Sequence, residues 1–206
     1  MSLPLDKPSP IITTTPKLVY SPATIGAIYN ENLLAAAESG DDSFICELLA
    51  QNANIDIRTL DGNSALHFAA LNNHSSTTNL LLQNGADIFA ENLDKNTALH
   101  LAAQKGFHKI VRQLIVRGAD GNSLNSNQET PLQLAEKSLH KVRGELAAAE
   151  KYQNILHMSP EILLQIKTDL KNLSETTSLL KIQQTVLNQI SATPLQSQQQ
   201  TNTQTL

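Results

Sequence analysis

The chain is poor in aromatic residues: it has no tryptophan, and aromatic residues make up 3% of its 206 positions. A core must therefore be built from leucine, isoleucine, valine and alanine. Side chains of this kind suit thin, layered packing better than one large globular centre. The length of the chain allows one or two domains.

Cysteine is almost absent, since Cys46 is the only one. An intramolecular disulfide and a zinc site made of several cysteines are therefore excluded. This composition fits a reducing, intracellular compartment. No apolar run reaches the length of a signal-peptide core or a transmembrane helix. We therefore expect a cytoplasmic protein without a membrane span.

A basic surface is also lacking. The formal net charge is −4, and residues 31–150 hold 15 acidic and 9 basic side chains. Binding to a phosphate backbone needs clustered lysine and arginine. We therefore expect no nucleic-acid partner.

What the chain does contain is one seven-residue phrase written three times. It reads SALHFAA from Ser64, TALHLAA from Thr97 and TPLQLAE from Thr130, at a spacing of 33 residues. A catalytic motif is normally needed once, whereas a fixed period is typical of stacked repeats. Further identities at this spacing are Leu33, Leu66, Leu99 and Leu132; Ala36, Ala69, Ala102 and Ala135; and Leu48, Leu81 and Leu114.

Each repeated unit has the same internal order. A turn such as residues 60–63 comes first, and a short helix with paired alanines follows. After a break, a second helix carries apolar residues at spacings of three and four, and Gly85 or Gly118 marks its end. One such helix pair cannot bury its apolar face alone, so we expect neighbouring units to stack.

The repeated phrases, the Gly-Ala-Asp after the second helix and the 33-residue period resemble ankyrin repeats. The resemblance implies an all-α ankyrin-repeat solenoid of helix–turn–helix units with β-turn tips over residues 29–158. The units fall at about 30–62, 63–95, 96–128 and 129–158. The chain departs from the family in the turn glycine, which is kept as Gly62 but becomes Lys95 and Gln128, and in Gly144 within the second helix of the fourth unit.

The flanks differ in composition from the repeats. Residues 1–28 are rich in proline, threonine and serine and predict a flexible arm, whereas residues 191–206 predict a disordered polar tail. Residues 159–190 predict amphipathic helices, with Ser174 as a break between two apolar stripes. The stripes are Ile162, Ile166, Leu170 and Leu173, and Leu179, Ile182, Val186 and Ile190. We expect these helices to dock on the last unit; the alternative is a hairpin or coiled coil that forms an oligomer.

No set of residues predicts catalysis, and we expect neither an enzyme nor a cofactor. His67 and His100 share one position of adjacent units, where the family resemblance implies a structural role in bonding turn backbone. Packed helices lie about 8–10 Å apart, too far for both rings to bind one zinc ion. We therefore expect no metal site. Cys46, between Phe44 and Leu48, is expected to be a small buried hydrophobe.

In ankyrin repeats the turn tips and the inner helices form a concave binding surface. The resemblance carries this surface onto Leu60, Asp61 and Asn63; Leu71 and Asn72; Leu93, Asp94 and Asn96; Gln104 and Lys105; Ser126, Asn127 and Glu129; and Lys137 and Ser138. Leu60 and Leu93 are apolar residues at tips that should be solvated. They are either anchors for a partner or side chains folded back onto the neighbouring turn.

The leading hypothesis is a non-enzymatic, monomeric protein-interaction module that binds a partner protein along the concave groove. The alternative places the function in the C-terminal helices, as an oligomerisation element or scaffold. Abundant Asn, Gln, Ile and Thr, irregular repeats and the polar C-terminus are also similar to ankyrin-repeat effectors that intracellular bacteria deliver into host cells. An ordinary cytosolic ankyrin protein fits the same composition.

Overall fold

The computed structural model describes residues 22–156 and 160–192. Within these ranges the chain forms eight helices and no strand, as the sequence predicts for an all-α solenoid. The helices are α1 (Pro22–Ser39), α2 (Asp42–Ala50), α3 (Ala65–Leu71), α4 (Ser75–Gln83), α5 (Ala98–Lys105), α6 (His108–Val116), α7 (Pro131–Leu156) and α8 (Pro160–Ala192). None of the described helices is long and apolar enough to cross a membrane.

The helices pack as two parallel rows. Helices α1, α3, α5 and α7 contact one another in this order and form the inner row. Helices α2, α4, α6 and α8 follow each other in the outer row, and each packs on its inner neighbour. This arrangement lets every unit bury its apolar face against the next unit.

The residues that recur every 33 positions form the core between the rows. Leu33, Leu66 and Leu99 are each at most 1% exposed, and Leu132 is also buried. The recurring alanines, from Ala36 to Ala135, are buried as well. Their small side chains let neighbouring inner helices approach closely. The period in the sequence is therefore the period of the packed layers.

His67 shows why the inner helices begin where they do. Its Nδ1 accepts the backbone N–H of Ser64 at 3.2 Å and lies 2.8 Å from the Ser64 hydroxyl. Since Nδ1 is an acceptor, Nε2 carries the proton and donates to the Asn96 carbonyl at 2.9 Å. Burial lowers the pKa of His67, which fits a neutral ring.

The next two units repeat this cap. His100 bonds Thr97 in the same way and reaches the Glu129 carbonyl at 3.2 Å, and burial also lowers its pKa. In the fourth unit Gln133 replaces the histidine and accepts the Thr130 N–H at 2.8 Å. The predicted structural role of both histidines is confirmed.

Three predicted boundaries differ from the structure. Helix α1 begins at Pro22, inside the segment assigned to the N-terminal arm. Helix α7 runs through Gly144 without the break expected within the fourth unit, and α8 runs through Ser174 without the expected second break. The arm up to residue 21 and the tail from residue 193 lie outside the described residues.

Helix α8 supplies the outer helix of the fourth unit. Its buried residues Thr176, Thr177 and Leu180 lie 66 positions after the buried Ile110, Val111 and Leu114 of α6 (176 − 110 = 66, twice the period). The same face of α4 reads TTNLLL from Thr77, and α8 reads TTSLLK from Thr176. The buried positions of α8 therefore match those of α6 after two periods instead of one. The extra 33 residues lengthen α7 and the first half of α8.

Four contacts hold α8 on the repeats. The Gln183 amide donates to the Ala119 carbonyl at 2.9 Å, and Lys181 pairs with Glu136 of α7 at 2.8 Å. His108 of α6 lies 3.5 Å from the Glu175 carboxylate, and Leu173 covers Gly106. Helix α8 is therefore docked on the last units, the first of the two arrangements considered for it.

Two predictions about buried faces are wrong. Cys46 is exposed, because Ile45 and Leu48 turn toward the core and place Cys46 on the adjacent, solvent-facing side of α2. Of the second apolar stripe of α8, Ile182 and Val186 are exposed, because the face with Thr176, Thr177 and Leu180 packs on the repeats instead. Ile162 of the first stripe is exposed too, whereas Leu173 is buried.

Candidate functional site

One asparagine fixes the backbone in each of the two turns that precede α5 and α7, and Thr59 takes its place in the turn before α3. In the turn between α4 and α5, the Asn92 N–H donates to the Asn96 carbonyl at 3.0 Å. The Asn92 side-chain oxygen accepts the N–H groups of Asp94 and Asn96 at 3.0 and 2.9 Å. Asn125 does the same one unit later for Asn127 and Glu129. Side-chain acceptors thus fix the backbone of both turns.

Neighbouring turns are joined into a continuous ladder. The Leu93 N–H donates to the Asp61 carbonyl at 2.9 Å, and the Ser126 N–H donates to the Asp94 carbonyl at 2.8 Å. The Asn92 amide also donates to the Asn63 side-chain oxygen at 2.9 Å. Because each tip is bonded to the next, the tips hold a fixed spacing along the stack.

A groove of about 450 Å³ lies between these tips and the inner helices. It gathers predicted residues from three turns and three helices: Asn63, Leu71, Asp94, Asn96, Gln104, Ser126, Asn127, Glu129, Lys137 and Ser138. Sequence reasoning missed four other lining residues, Asn92, Leu101, Asn125 and Leu134. Asn92 and Asn125 are themselves 33 residues apart, and this spacing was the signal for them.

The groove is polar and carries charged side chains in its second and third turns. Lys137 binds the Glu129 carboxylate at 3.2 Å, and this hydrogen bond lowers the pKa of Glu129. Asp94 belongs to the preceding turn, and no described side chain pairs with its carboxylate. The amide nitrogens of Asn63 and Asn96 have no hydrogen-bond acceptor within the described residues. Acidic groups and amide donors are therefore open to a ligand.

The remaining predicted residues stand beside the groove. Leu60 is 99% exposed and Leu93 is 72% exposed, so neither side chain folds back onto the neighbouring turn. Asp61 is exposed at the tip next to Leu60. Asn72 and Lys105 lie where α3 and α5 end, and both are exposed. The tips thus form an apolar and acidic rim outside the polar groove.

The described residues hold no group of three histidine, cysteine, aspartate or glutamate side chains that could bind a metal ion. The two buried histidines use their ring nitrogens for the helix caps and the turns. What the arrangement offers is a contact surface of amides, carboxylates and two leucines.

Comparison with known proteins agrees with this architecture. A family profile described as ankyrin repeats (3 copies) matches residues 28–92 and 79–155. No curated protein matches the chain. The profile spans more than half of the chain and includes both buried histidines and all three turns. The chain therefore belongs to the ankyrin-repeat family.

Proposed function

We propose that the chain is a non-enzymatic interaction module that binds a partner protein along the groove and rim of the turn tips. Ankyrin repeats indicate a protein–protein interaction module. The observation that carries the proposed location is the rim itself: Leu60 and Leu93 are exposed large apolar residues at equivalent tips, each followed by an aspartate.

The chemistry of the rim selects the partner. Large apolar side chains in solvent favour contact with an apolar surface. Asp61 and Asp94 favour lysine or arginine beside that surface. The ladder between the tips fixes the spacing of both leucine–aspartate pairs, so the surface is preorganised and loses little entropy on binding. The proposed partner presents apolar and basic side chains together.

Affinity capture with mass spectrometry tests this location. The full chain is compared with a variant carrying Leu60→Ala, Asp61→Ala, Leu93→Ala and Asp94→Ala. A matched control replaces two exposed apolar residues and two carboxylates elsewhere: Phe89→Ala, Leu164→Ala, Glu161→Ala and Asp169→Ala. We expect the control to keep the proteins that the full chain captures and the rim variant to lose them. Equal capture by a folded rim variant would disprove the location.

A charge-only variant separates the two parts of the rim. Asp61→Asn with Asp94→Asn keeps the shape and removes both charges. We expect weaker binding of the captured partner and a smaller dependence on salt, because exposed charges are screened at high ionic strength. Unchanged salt dependence would argue against a basic partner surface.

A role as a delivered effector rests on composition and on the polar tail, which lies outside the described residues. A translocation reporter fused to the chain, with and without residues 191–206, tests it. Delivery only with the tail would support the hypothesis, and no delivery in either form would remove it.

A further inference from the structure

A second groove lies on the outer row, between α6 and α8, and shares no residue with the turn-tip groove. Its volume is about 640 Å³, and its walls are mainly apolar. Helix α6 contributes Ile115 and Val116, and α8 contributes Leu179, Ile182 and Val186. Val116, Ile182 and Val186 are exposed, so no described part of the chain covers them.

The fold does not require these apolar side chains. Val116 is 78% exposed and Ile182, in the equivalent position of the fourth unit, is 63% exposed (182 − 116 = 66). The same position holds Gln83 in α4 and Ala50 in α2. A glutamine and an alanine occupy this position in the other units, so the fold does not need a large apolar residue there. Two large exposed apolar residues in the last two units are therefore typical of a binding surface.

The groove has a basic side chain toward one end and an acidic side chain toward the other, Arg112 and Asp120. The 3.5 Å contact between His108 and Glu175 and the 2.9 Å bond between Ala119 and Gln183 show that α6 and α8 run parallel. Arg112, one turn after His108, therefore lies at the level of Leu179. Asp120, next to Ala119, lies at the level of Gln183 and the residues after it.

Ile182 lies between these two levels. A twofold axis across the groove at Ile182 would place Arg112 of one copy opposite Asp120 of the other, twice in the dimer. Arg112 and Asp120 are both exposed, and Arg112 has no partner within the described residues. The Asp120 carboxylate accepts only the nearby Asn122 N–H and keeps its charge available.

We propose that this face, the α6–α8 face, is a self-association surface whose occupant is a second, antiparallel copy of the chain. Two such helix pairs facing each other make the core of a four-helix arrangement, in which Ile115, Leu179, Ile182 and Val186 fill the space between the pairs. Along the groove the order is arginine, apolar centre, aspartate, and an antiparallel copy presents the complementary order. This self-complementarity favours a second copy over an unrelated helix, because binding an unrelated helix would not require it.

Sedimentation velocity on the full chain, over about two decades of concentration around the micromolar range, tests the proposal. We expect a monomer–dimer equilibrium. Ile182→Glu should weaken it by about tenfold or more, because the dimer would bury two unpaired carboxylates at its centre. Leu164→Glu is the matched control, since Leu164 lies on the same helix, is 66% exposed and lies outside the groove.

Charge reversal tests the geometry of the pair. Arg112→Asp alone and Asp120→Arg alone should each weaken the dimer by about tenfold, since both create two like-charged contacts. The double variant should return the dissociation constant to within about threefold of the original chain. Circular dichroism and thermal unfolding confirm that each variant is folded. A chain that stays monomeric throughout, or a double variant no better than its parents, would overturn the proposal.

Discussion

The central units and the terminal unit place their helices in the same two rows but reach this arrangement differently. In the central units the chain passes from the inner helix to the outer helix through a break of two or three residues, as between Lys105 and His108. In the terminal unit it leaves the stack along α7 and returns along α8 before the outer-row contacts resume at Leu173 and Thr176.

The difference shows which features a unit needs. The central units have a left-handed residue between their helices and a Gly-Ala step after the outer helix, with Gly106 and Gly118 as examples. The terminal unit keeps only the buried positions of the outer helix, and α8 continues to Ala192. Burial against the neighbouring unit is thus sufficient to place an outer helix, and the connection can be long.

The largest loss of stability should come from truncation of the buried leucine that the central and terminal units share. Leu81 of α4 and Leu180 of α8 are 0% and 2% exposed at equivalent positions. If α8 is an integral outer helix, Leu180→Ala should lower the free energy of unfolding by about 2–5 kcal/mol, as Leu81→Ala should. Urea denaturation followed by circular dichroism measures both. A loss below about 1 kcal/mol for Leu180→Ala alone would mean that α8 contributes little to the folded stack.

The second largest loss of stability is expected from a variant that disturbs the contact between α8 and a central unit. Gly106 has a φ of 76°, and an added Cβ would lie 2.9 Å from the Leu173 side chain and 3.2 Å from its backbone nitrogen. Gly85 has a φ of 88° and no neighbour within 4 Å of such a Cβ. Gly85→Ala should cost about 1–2 kcal/mol from its backbone conformation alone.

Gly106→Ala should cost roughly 1–3 kcal/mol more than Gly85→Ala, because Leu173 must move. The same denaturation experiment compares the two variants. Equal losses would show that α8 does not press on Gly106 in solution.

A smaller change in stability is expected from substitutions in the central turns. Lys95 and Gln128 have φ values of 56° and 60°, where Gly62 has 78°. Lys95→Gly and Gln128→Gly should each stabilise the chain by up to about 1 kcal/mol, because relief of left-handed strain exceeds the entropy of the added glycine. The reverse change, Gly62→Ala, should destabilise, since its Cβ would lie 3.0 Å from the Leu93 nitrogen. Thermal unfolding gives the sign of each change.

The smallest change in the free energy of unfolding at neutral pH is expected from His67→Gln combined with His100→Gln. In the terminal unit Gln133 already accepts the backbone N–H that the histidines accept in the central units. The stabilities of the variant and the original chain should differ at acidic pH. Burial lowers the pKa of both histidines in the folded state below the ordinary value of 6.5. The unfolded chain therefore binds more protons below pH 6.5, and stability falls as the pH falls.

The variant with two glutamines should lose less stability than the original chain between pH 7 and pH 5. Thermal unfolding at a series of pH values checks this. Parallel pH profiles for the two proteins would show that these histidines do not control the acid sensitivity. Carboxylates common to both proteins contribute equally and cancel in the comparison.

Much of the groove was predictable, because its residues recur with the repeat. Asn63, Asn96 and Glu129 occupy matching places in successive turns, as do Asp94 and Asn127, and the structure brings them to one groove. Asn92 and Asn125 were missed although they follow the same period, because their role is to accept backbone N–H groups inside the turn. Such a role depends on turn geometry, which composition does not reveal.

The exposure of Cys46 and the buried face of α8 were predicted wrongly for a related reason. Both depend on which face of a helix meets its neighbour. Cys46 is flanked by apolar residues on either side in sequence, yet only Ile45 and Leu48 point to the core. The matching TTNLLL and TTSLLK segments carried the information about α8, but they are separated by 99 positions rather than 33 (176 − 77 = 99).

By itself the sequence determined the stacked all-α architecture, the position of each turn and the histidine caps. These features depend on contacts within a unit or with the next unit, so they repeat whenever the residues repeat. Only the tertiary structure decided where α8 lies and which of its apolar stripes is buried. The small Thr176 and Thr177 fit closely against the stack, and the larger Ile182 and Val186 are left to form an uncovered groove with α6.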